Sequence, residues 1–532
     1  MEATDNMEGE NMEVVVEGRL NAPLPSRPPQ SSNATSPVVP PSRQTIDHFY
    51  RKRFVFVTGA SGFIGKVLLE KLLRCCPEIA GIFILMRPKK GRTPFQRVED
   101  LCASPIFKGL REVQPAFNEK LIAMQGDVNE EDFGLHSDNL RRLLEETSVV
   151  FHVAATIRFD EPLKYAIEMN VISVQRLVGL CRRMTRLKAL VHVSTAYANC
   201  DRNHIEEMVY QPSLEPQKLI DIIGLLPDKA VEAMTPHLLK TFPNTYCFTK
   251  GLAEYCLLKE AGDLPLAIVR PSIVGAAWKE PIPGWIDNSQ GPSLLFIANG
   301  KGLLRSMTGH RERVMDVIPV DFTANLLIAV GWRTARIYDG GKGSLTVYNG
   351  TSGGVNPLKW GELESNMVHS FAKNPLDLAF RRPKMIFTEH PLMRNYWSTV
   401  SHLLPAYIFD MALRLVGKKP SASNVGSMMH EMSSGDREVF YLDAREVHWP
   451  SYIENYCLGM KKFLLKEDLD NLPRARRHQR RLNIVRYAFN TVLLAVIWRF
   501  VIANSRLAGG LWHMVLNLVF KFVRFFRMTS SR

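Results

Sequence analysis

Along residues 54–270, continuous runs of apolar residues alternate with segments in which apolar residues recur at helical spacing. Continuous apolar runs predict strands at 54–57, 81–86, 121–124, 149–153, 189–193 and 266–269. The segments between them carry apolar residues at helical spacing, for example 66–75 and 163–184. Strands that are apolar on both faces and alternate with helices predict a doubly wound parallel sheet, the α/β Rossmann architecture.

The pattern changes after about residue 355. We predict an NADP-binding Rossmann reductase domain over residues 51–355 and a helical C-terminal domain over residues 356–473. Residues 474–532 form an apolar tail studded with arginine. Residues 1–50 form an acidic leader rich in Pro and Ser; this composition predicts disorder, and no apolar signal-peptide core occurs in residues 1–18.

Charge and cysteine content narrow the class of protein. The net charge is +14, and residues 474–532 hold twelve Lys and Arg with no acidic residue. Because these basic residues flank apolar runs, we expect a membrane surface as the partner and no nucleic acid. The eight cysteines form no C-x-x-C pair, which favours a reduced, cytosol-facing body.

A glycine-rich motif follows the first predicted strand and opens a helix. It reads Thr58-Gly59-Ala-Ser61-Gly62-Phe63-Ile64-Gly65. In this context Gly59 permits a tight turn, Gly62 lets backbone N–H groups approach a pyrophosphate, and Gly65 allows close packing of helix on strand. The motif predicts a dinucleotide-binding site.

The end of the second predicted strand indicates which dinucleotide is bound. An NAD site places an acidic residue there, whereas this chain has Arg87. A guanidinium group can pair with a 2′-phosphate, so NADPH is the predicted cofactor. Asp127 and Val128 follow the third strand, where the adenine edge would lie. We predict no metal site.

Two further segments predict proton-transfer chemistry. Tyr246 and Lys250 are four residues apart at the start of a predicted helix, and Thr195 follows the fifth strand, with Ser194 as a substitute. Lys250 would hold the ribose and lower the pKa of Tyr246, which would pass a proton to a carbonyl oxygen held by Thr195.

The pair Tyr255 and Lys259 has the same spacing. It lies about 13 Å further along the helix, away from the strand ends where a cofactor crosses a parallel sheet. We therefore predict that these two are surface or packing residues.

Together these motifs resemble the extended short-chain dehydrogenase/reductase superfamily, and more specifically the eukaryotic fatty acyl-CoA reductases. The closer resemblance rests on motifs in family order: His152-Val-Ala-Ala155, Arg158-Phe159-Asp160, Val269-Arg-Pro-Ser-Ile-Val-Gly275, Pro283-Gly-Trp285-Ile-Asp-Asn288 and Asp316-Val-Ile-Pro-Val-Asp321. Residues 380–470, with Trp397 and Tyr407, resemble that family's helical C-terminal domain.

The resemblance implies an alcohol-forming reductase. Such an enzyme uses NADPH to reduce a long-chain acyl-CoA through an aldehyde to a primary alcohol, releasing CoA. By position, Tyr246 is then the proton donor, Lys250 the ribose anchor and Thr195 the catalytic hydroxyl. Residues 219–226 are apolar enough to line an acyl channel, although an ordinary core helix fits them equally well.

Two other functions share part of this pattern. One is a membrane-bound steroid or sugar-nucleotide oxidoreductase of the same superfamily, against which Arg87 and the motifs of residues 269–321 count. The other is a non-catalytic NADP-binding scaffold, which would not need to keep Thr195, Tyr246 and Lys250 together.

The tail predicts attachment to a membrane. A basic cluster over 474–481 precedes an apolar stretch over 487–503, and a second apolar stretch over 511–520 follows Gly509-Gly510. We predict a membrane-embedded hairpin turning near these glycines, with a single spanning helix or a soluble amphipathic hairpin as alternatives. Both outer ends are basic, which favours a cytosolic catalytic body on the endoplasmic reticulum, peroxisome or lipid droplet surface.

Overall fold

The computed structural model describes residues 45–338, 345–388, 419–420, 423–504 and 506–529. Most of the predicted leader, as well as Trp397 and Tyr407, lies outside the described residues. Residues Gln44–Arg532 form one compact unit. The domain boundaries at residues 355 and 473 stay predictions.

The described strands in chain order are β1 (Phe54–Thr58), β2 (Gly81–Met86), β3 (Leu121–Gln125), β4 (Thr147–His152), β5 (Ala189–Val193), β6 (His204–Ile205), β7 (Leu266–Pro271), β8 (Ile273–Gly275), β9 (Ser306–Thr308), β10 (Val317–Pro319), β11 (Thr346–Gly350), β12 (Ile386–Thr388) and β13 (Lys419–Pro420). Seven of them form one sheet in the order β11-β7-β5-β4-β1-β2-β3, in which every neighbouring pair is parallel. The predicted doubly wound parallel sheet is confirmed, and the six predicted strands all belong to it. The edge strand β11 is an addition.

The direction of the chain reverses between β1 and β4. From β1 the chain moves outward through β2 to β3, and then returns to place β4 on the other side of β1. Thr58 and His152 are register partners, so β1 and β4 end level with each other. In open parallel sheets a crevice forms outside the strand ends at such a reversal, and ligands bind there.

Helices cover both faces of the sheet. On one face Val55 and Val57 pack with the helices Phe63–Cys75 and Val320–Ile337. On the other face Phe56 packs with helices that include Ser173–Arg183. The other described helices are Ile46–Tyr50, Pro94–Ala103, Lys108–Val113, Ser137–Glu146, Leu163–Ile167, Pro216–Leu225, Asp228–Leu239, Thr245–Glu260, Pro292–Gly300, Trp360–Lys373, Ser423–Glu431, Ser434–Val439, Trp449–Gly459, Leu472–Asn504 and Arg506–Thr529.

The later part of the chain is mainly helical, as predicted. The helices Trp360–Lys373 and Trp449–Gly459 share a second apolar core with the helix Pro292–Gly300. Met428 of the helix Ser423–Glu431 and Met432, which directly follows this helix, pack instead into the core beside the sheet. Both parts of the chain therefore contribute to one continuous body.

The tail consists of the helices Leu472–Asn504 and Arg506–Thr529. The first of these two tail helices, counted from Leu469 so that it includes the short helical turn before Leu472, is long and apolar enough to cross a membrane. It is the one such helix in the described part of the chain. The Trp498 and Trp512 rings lie 5.7 Å apart. In a continuous helix these residues would be separated by about 21 Å, so the chain folds back on itself.

The turn was predicted near Gly509-Gly510. The first tail helix ends at Asn504 and the second begins at Arg506, so the chain folds back a few residues before these glycines. Both glycines lie inside the helix Arg506–Thr529. Glycine costs only about 1 kcal/mol in a helix, so the pair does not end it.

Candidate active site

The glycine motif forms a tight turn between β1 and the helix Phe63–Cys75. Gly59 has a φ of +73°, and a Cβ there would lie 2.6 Å from the backbone nitrogen of Ala154 after β4. A Cβ on Gly65 would lie 2.4 Å from the Gly59 carbonyl oxygen. Thr58 Oγ1 accepts a hydrogen bond from the Ala154 N–H at 3.2 Å. The turn therefore depends on glycine at both positions and is joined to β4.

The same turn fits a dinucleotide pyrophosphate. Gly62 is the residue before the first helical turn, and a Cβ on it would meet only the Gly59 carbonyl oxygen, at 3.1 Å. Its outer side is therefore open, and the unpaired N–H groups of the helix start face that opening. Ser61 is exposed, Ile64 is half-buried, and the Phe63 ring stacks on Trp285 at 5.5 Å.

A charged cluster lies where the adenosine end of a dinucleotide would extend. Arg87, at the end of β2, donates from Nη1 to Asp127 Oδ2 at 3.2 Å. Arg97 donates from Nη1 to the Arg87 carbonyl oxygen at 2.5 Å and from Nη2 to Ser61 Oγ at 3.3 Å. Val128 is buried beside Asp127. The cluster thus joins three of the segments in which we predicted cofactor contacts.

Sequence reasoning missed Arg97. Burial and the neighbouring charge of Arg87 both lower the pKa of Arg97, so two guanidinium groups lie close together. Such a pair favours an anion between or beside its members. The available signal was its place in the first turn of the helix Pro94–Ala103, the next helix after β2.

The predicted proton-transfer residues lie together at the ends of β5 and the helix Thr245–Glu260. Asn244 caps this helix by accepting from the Cys247 N–H at 2.8 Å, which places Tyr246 in its first turn. Lys250, one turn later, is buried and donates from Nζ to the Val193 carbonyl oxygen at 2.7 Å. Thr195 forms a side-chain hydrogen bond with Tyr246.

Burial shifts the pKa of both titratable groups. It raises the pKa of Tyr246, which the hydrogen bond from Thr195 opposes. The expectation that Lys250 lowers the pKa of Tyr246 is therefore not met in this structure. Burial lowers the pKa of Lys250 to about 8, against the opposing influence of Glu254. Tyr246 is protonated at neutral pH and has a proton to donate.

Ser194, the predicted substitute for Thr195, has a different partner. Its hydroxyl donates to Glu254 Oε1 at 2.5 Å. Glu254 also receives two hydrogen bonds from Arg270, from Nε at 2.8 Å and from Nη2 at 2.6 Å, and both side chains of this ion pair are buried. This geometry favours Thr195 over Ser194 as the hydroxyl beside the reacting carbonyl.

The pair Glu254 and Arg270 was also missed by sequence reasoning. Arg270 further donates to the carbonyl oxygens of Glu206 and Met208 at 2.9 and 2.7 Å, so it joins the loop after β6 to β7. Its place in the motif after Val269 was visible in the sequence, but its partner on the helix Thr245–Glu260 was not.

Two buried histidines lie next to this group. His152 is the last residue of β4, and His192 is the last but one of β5. Their Nδ1 atoms are 2.9 Å apart. Burial, followed by the charge of Lys250, lowers the pKa of His152 to about 3 and that of His192 well below its usual value. Both rings are therefore neutral at physiological pH.

The second Tyr–Lys pair occupies the surface part of the same helix. Lys259 is exposed, and its Nζ lies 5.4 Å from the centre of the Tyr255 ring. Nearby, Leu219 and Ile223 of the helix Pro216–Leu225 pack against Phe248 and Leu252. These contacts fit a core helix, and the acyl channel stays a prediction.

Comparisons with known proteins agree with this fold and site. Residues 57–327 and 421–467 match two protein-family models, both described as Male sterility protein, the first of them NAD-binding. The chain is 42% identical to fatty acyl-CoA reductase 1 of Gallus gallus and of Homo sapiens over 515 residues, which are 92% of this chain and 99% of each relative. It is 43% identical to fatty acyl-CoA reductase 2 of Mus musculus over 512 residues, 91% of this chain and 99% of the relative.

Solved structures share the fold. The reductase domain of a nonribosomal peptide synthetase from Mycobacterium tuberculosis has a TM-score of 0.53 at 20% identity, covering 78% of this chain and 92% of that domain. The terminal R domain of the myxalamid pathway has a TM-score of 0.52 at 18% identity, covering 77% and 90%. The similarity to the curated relatives decides against a steroid or sugar-nucleotide oxidoreductase. The chain binds a nicotinamide cofactor and belongs to the family of alcohol-forming fatty acyl-CoA reductases.

Proposed function

We propose that this protein reduces a long-chain fatty acyl-CoA to the primary alcohol with NADPH and releases CoA. The observation that supports this most directly is the grouping of Thr195, Tyr246 and Lys250 at the end of β5, two strands from the β1 end that carries the glycine turn. A non-catalytic scaffold would not need the hydrogen bond between Thr195 and Tyr246. The curated relatives, which are named fatty acyl-CoA reductases, indicate the substrate class.

The residues act in two successive reductions. Bound NADPH supplies a hydride to the carbonyl carbon in each of them. Tyr246 donates its proton to the carbonyl oxygen, and Thr195 holds that oxygen by a second hydrogen bond. The first reduction yields a thiohemiacetal. Its hydroxyl proton returns to Tyr246 as its C–S bond breaks, and the CoA thiolate that leaves takes a proton from water, which gives the aldehyde and CoA. In the second reduction the aldehyde oxygen occupies the position that the thioester oxygen held, and the product is the alcohol.

Product analysis tests this proposal. The purified full-length protein in detergent is incubated with palmitoyl-CoA and NADPH, and the lipid extract is analysed by gas chromatography and mass spectrometry. We expect hexadecanol, with two NADPH oxidised for each alcohol and each CoA released. Oxidation of a 3-hydroxysteroid with NADP⁺ in place of this reaction, or binding of NADPH with no product, would reject the proposal.

We also propose that Arg87 and Arg97 select NADPH by binding its 2′-phosphate. Their proximity and the contact of Arg97 with Ser61 support this role. Arg87→Ala and Arg97→Ala should each raise the KM for NADPH by about tenfold, the equivalent of about 1.4 kcal/mol, and leave the KM for NADH unchanged. The control is Arg92→Ala, because the exposed Arg92 pairs with Asp100 at 3.6 Å. Equal use of NADPH and NADH by the unmodified enzyme would contradict the assignment.

For the location, we propose attachment to a membrane through the tail, with the catalytic body in the cytosol. The apolar helix Leu469–Asn504 and the fold-back at Trp498 and Trp512 support a hairpin whose two basic ends share one side. The endoplasmic reticulum, the peroxisome and the lipid droplet surface all present such a cytosolic face. Imaging of the tagged full-length protein with markers of each compartment distinguishes them.

A further inference from the structure

A second apolar surface lies on the body next to the root of the tail. Leu378 and Phe380 are 80% and 70% exposed, and Leu303 is 42% exposed. Single exposed apolar residues are common on soluble proteins, but grouped ones mark a surface that binds something. Leu378 also has a φ of +50°, which is unfavourable for a residue with a branched side chain.

The backbone that presents these side chains is held from several directions. The Phe380 N–H donates to the Lys301 carbonyl oxygen at 2.9 Å. Lys301 Nζ donates to the Asp377 carbonyl oxygen at 2.6 Å, and the Asp377 N–H donates to Glu467 Oε2 at 2.8 Å. The buried Lys461 adds a bond of 2.7 Å to Asp377. The exposure of Leu378 and Phe380 is therefore a fixed property of the fold.

Positive charge surrounds the same segment. Arg381 and Arg382 are exposed, and Arg305 donates from Nη1 to the Arg382 carbonyl oxygen at 3.0 Å. Burial and the charges of Arg381 and Arg486 lower the pKa of Arg305, so basic groups from three separate parts of the chain lie close together. Like charges gathered in this way favour a partner that is anionic.

The tail binds directly to this segment. His478 bonds through Nε2 to the Ala379 carbonyl oxygen at 3.0 Å, and Arg476 donates from Nε to the Lys373 carbonyl oxygen at 2.9 Å. The helix then continues for about 13 Å before its apolar stretch begins at Tyr487. Arg486 is the last basic residue before that stretch, and it lies near Arg305. The segment therefore sits at the level where the helix would enter lipid.

We propose that the segment Asp377–Arg382 is a second membrane contact, in which Leu378 and Phe380 enter the bilayer interface and Arg381 and Arg382 bind the phosphate groups of anionic phospholipids. The proposal rests on the membrane attachment proposed above. Exposed apolar side chains followed directly by basic ones are typical of interfacial anchors. Continuity with the candidate spanning helix favours lipid over a protein partner. Such a contact would hold the body at one fixed angle to the membrane instead of leaving it to swing on the tail.

A fluorescent probe at the segment tests the proposal in the full-length protein. Cys75 and Cys102, the partly exposed cysteines among the described residues, are replaced by Ser. Phe380→Cys is then labelled with the environment-sensitive dye NBD and reconstituted into vesicles of phosphatidylcholine, with and without about one third phosphatidylserine. The matched control is Val113→Cys, which is 79% exposed on the short helix Lys108–Val113 of the body.

We expect the probe at position 380 to become several-fold brighter in vesicles, more so with phosphatidylserine, and to be quenched by doxyl-labelled lipid. The probe at position 113 should do neither. Flotation of the same vesicles reports attachment by the tail independently. If the protein floats while both probes behave alike, this proposal is overturned and the tail attachment stands. If the protein does not float, both this proposal and the proposed attachment through the tail are rejected. A probe at position 380 that is already shielded in detergent would indicate a protein contact, which also overturns the lipid assignment.

Discussion

At the scale of single residues, the proton donor is the most direct prediction. Tyr246→Phe removes the phenolic O–H but keeps the aromatic ring, whose centre lies 6.0 Å from the centre of the Phe159 ring. We expect kcat to fall at least about a hundredfold, with NADPH binding nearly unchanged, as measured by turnover and by cofactor titration. Tyr255→Phe is the matched control and should retain activity. If the two variants exchange these phenotypes, the proton donor has been misassigned.

The pKa of Lys250 predicts a pH dependence. Burial lowers this pKa to about 8, so the ammonium group is charged below that pH and neutral above it. Since the charged form is the one that holds the ribose hydroxyls best, kcat/KM for NADPH should fall as the pH rises through about 8. Lys250→Arg keeps the charge at all accessible pH values. Its activity will be lower, but its profile should lack this alkaline decrease, and a decrease that persists unchanged would assign it to another group.

Sequence reasoning located the residues whose positions follow from motif and strand order, and their roles stay predictions. Tyr246, Lys250, Thr195 and the glycines lie where their places at strand ends and helix starts predict. Arg97 and Glu254 were out of reach, because their partners lie far away in the chain and no local spacing marks them. The direction of the pKa shift of Tyr246 was missed for the same reason, since burial is set by tertiary packing.

At the scale of elements, the buried ion pair of Arg270 and Glu254 joins β7 to the helix Thr245–Glu260. Arg270→Met keeps much of the side-chain volume but leaves the Glu254 carboxylate buried without its partner, which should destabilise the protein by about 3–5 kcal/mol. Combining it with Glu254→Gln should recover part of the lost melting temperature. Arg141→Ala breaks an exposed pair with Asp138, and we expect less than about 0.5 kcal/mol from it. If thermal unfolding shows the same loss of stability for Arg270→Met and for Arg141→Ala, the structural role of the buried pair is contradicted.

The elements themselves were largely predictable. Strands that are apolar on both faces are a strong signal, and β1, β2, β3, β4, β5 and β7 were all recognised by it. The strand β11 is as long as β1, but it lies at the edge of the sheet and ends in Asn349 and Gly350, so it resembles a loop in sequence. The pair of glycines marked the region of the turn in the tail, but the glycines themselves lie inside the helix Arg506–Thr529.

At the scale of the whole molecule, the tail should be separable from the catalytic body. Ala475 and Gln479 are buried against the body, so a cut after Arg486 keeps the packed part of the helix Leu472–Asn504. Deletion of residues 487–532 should release most of the protein from membranes in sedimentation assays and retain activity on detergent-dispersed acyl-CoA. Loss of both solubility and activity would show that the tail belongs to the folded body.

The topology of the tail is a separate prediction. A hairpin places the C-terminus on the same side of the membrane as the catalytic body. A C-terminal tag on the full-length protein in sealed microsomes should therefore be cleaved by added protease. A tag that is protected until detergent is added would select the single spanning helix.

The stacking of Phe63 on Trp285 has a practical consequence. The indole is buried and lies against the residue that follows Gly62, where the cofactor phosphates are expected. The emission of Trp285 should therefore respond to cofactor occupancy, by direct contact and by energy transfer to a reduced nicotinamide, which absorbs at the wavelengths where indole emits. Comparison with a Trp285→Phe variant isolates this signal from the other tryptophans. Cofactor affinity could then be followed optically in variants that no longer turn over.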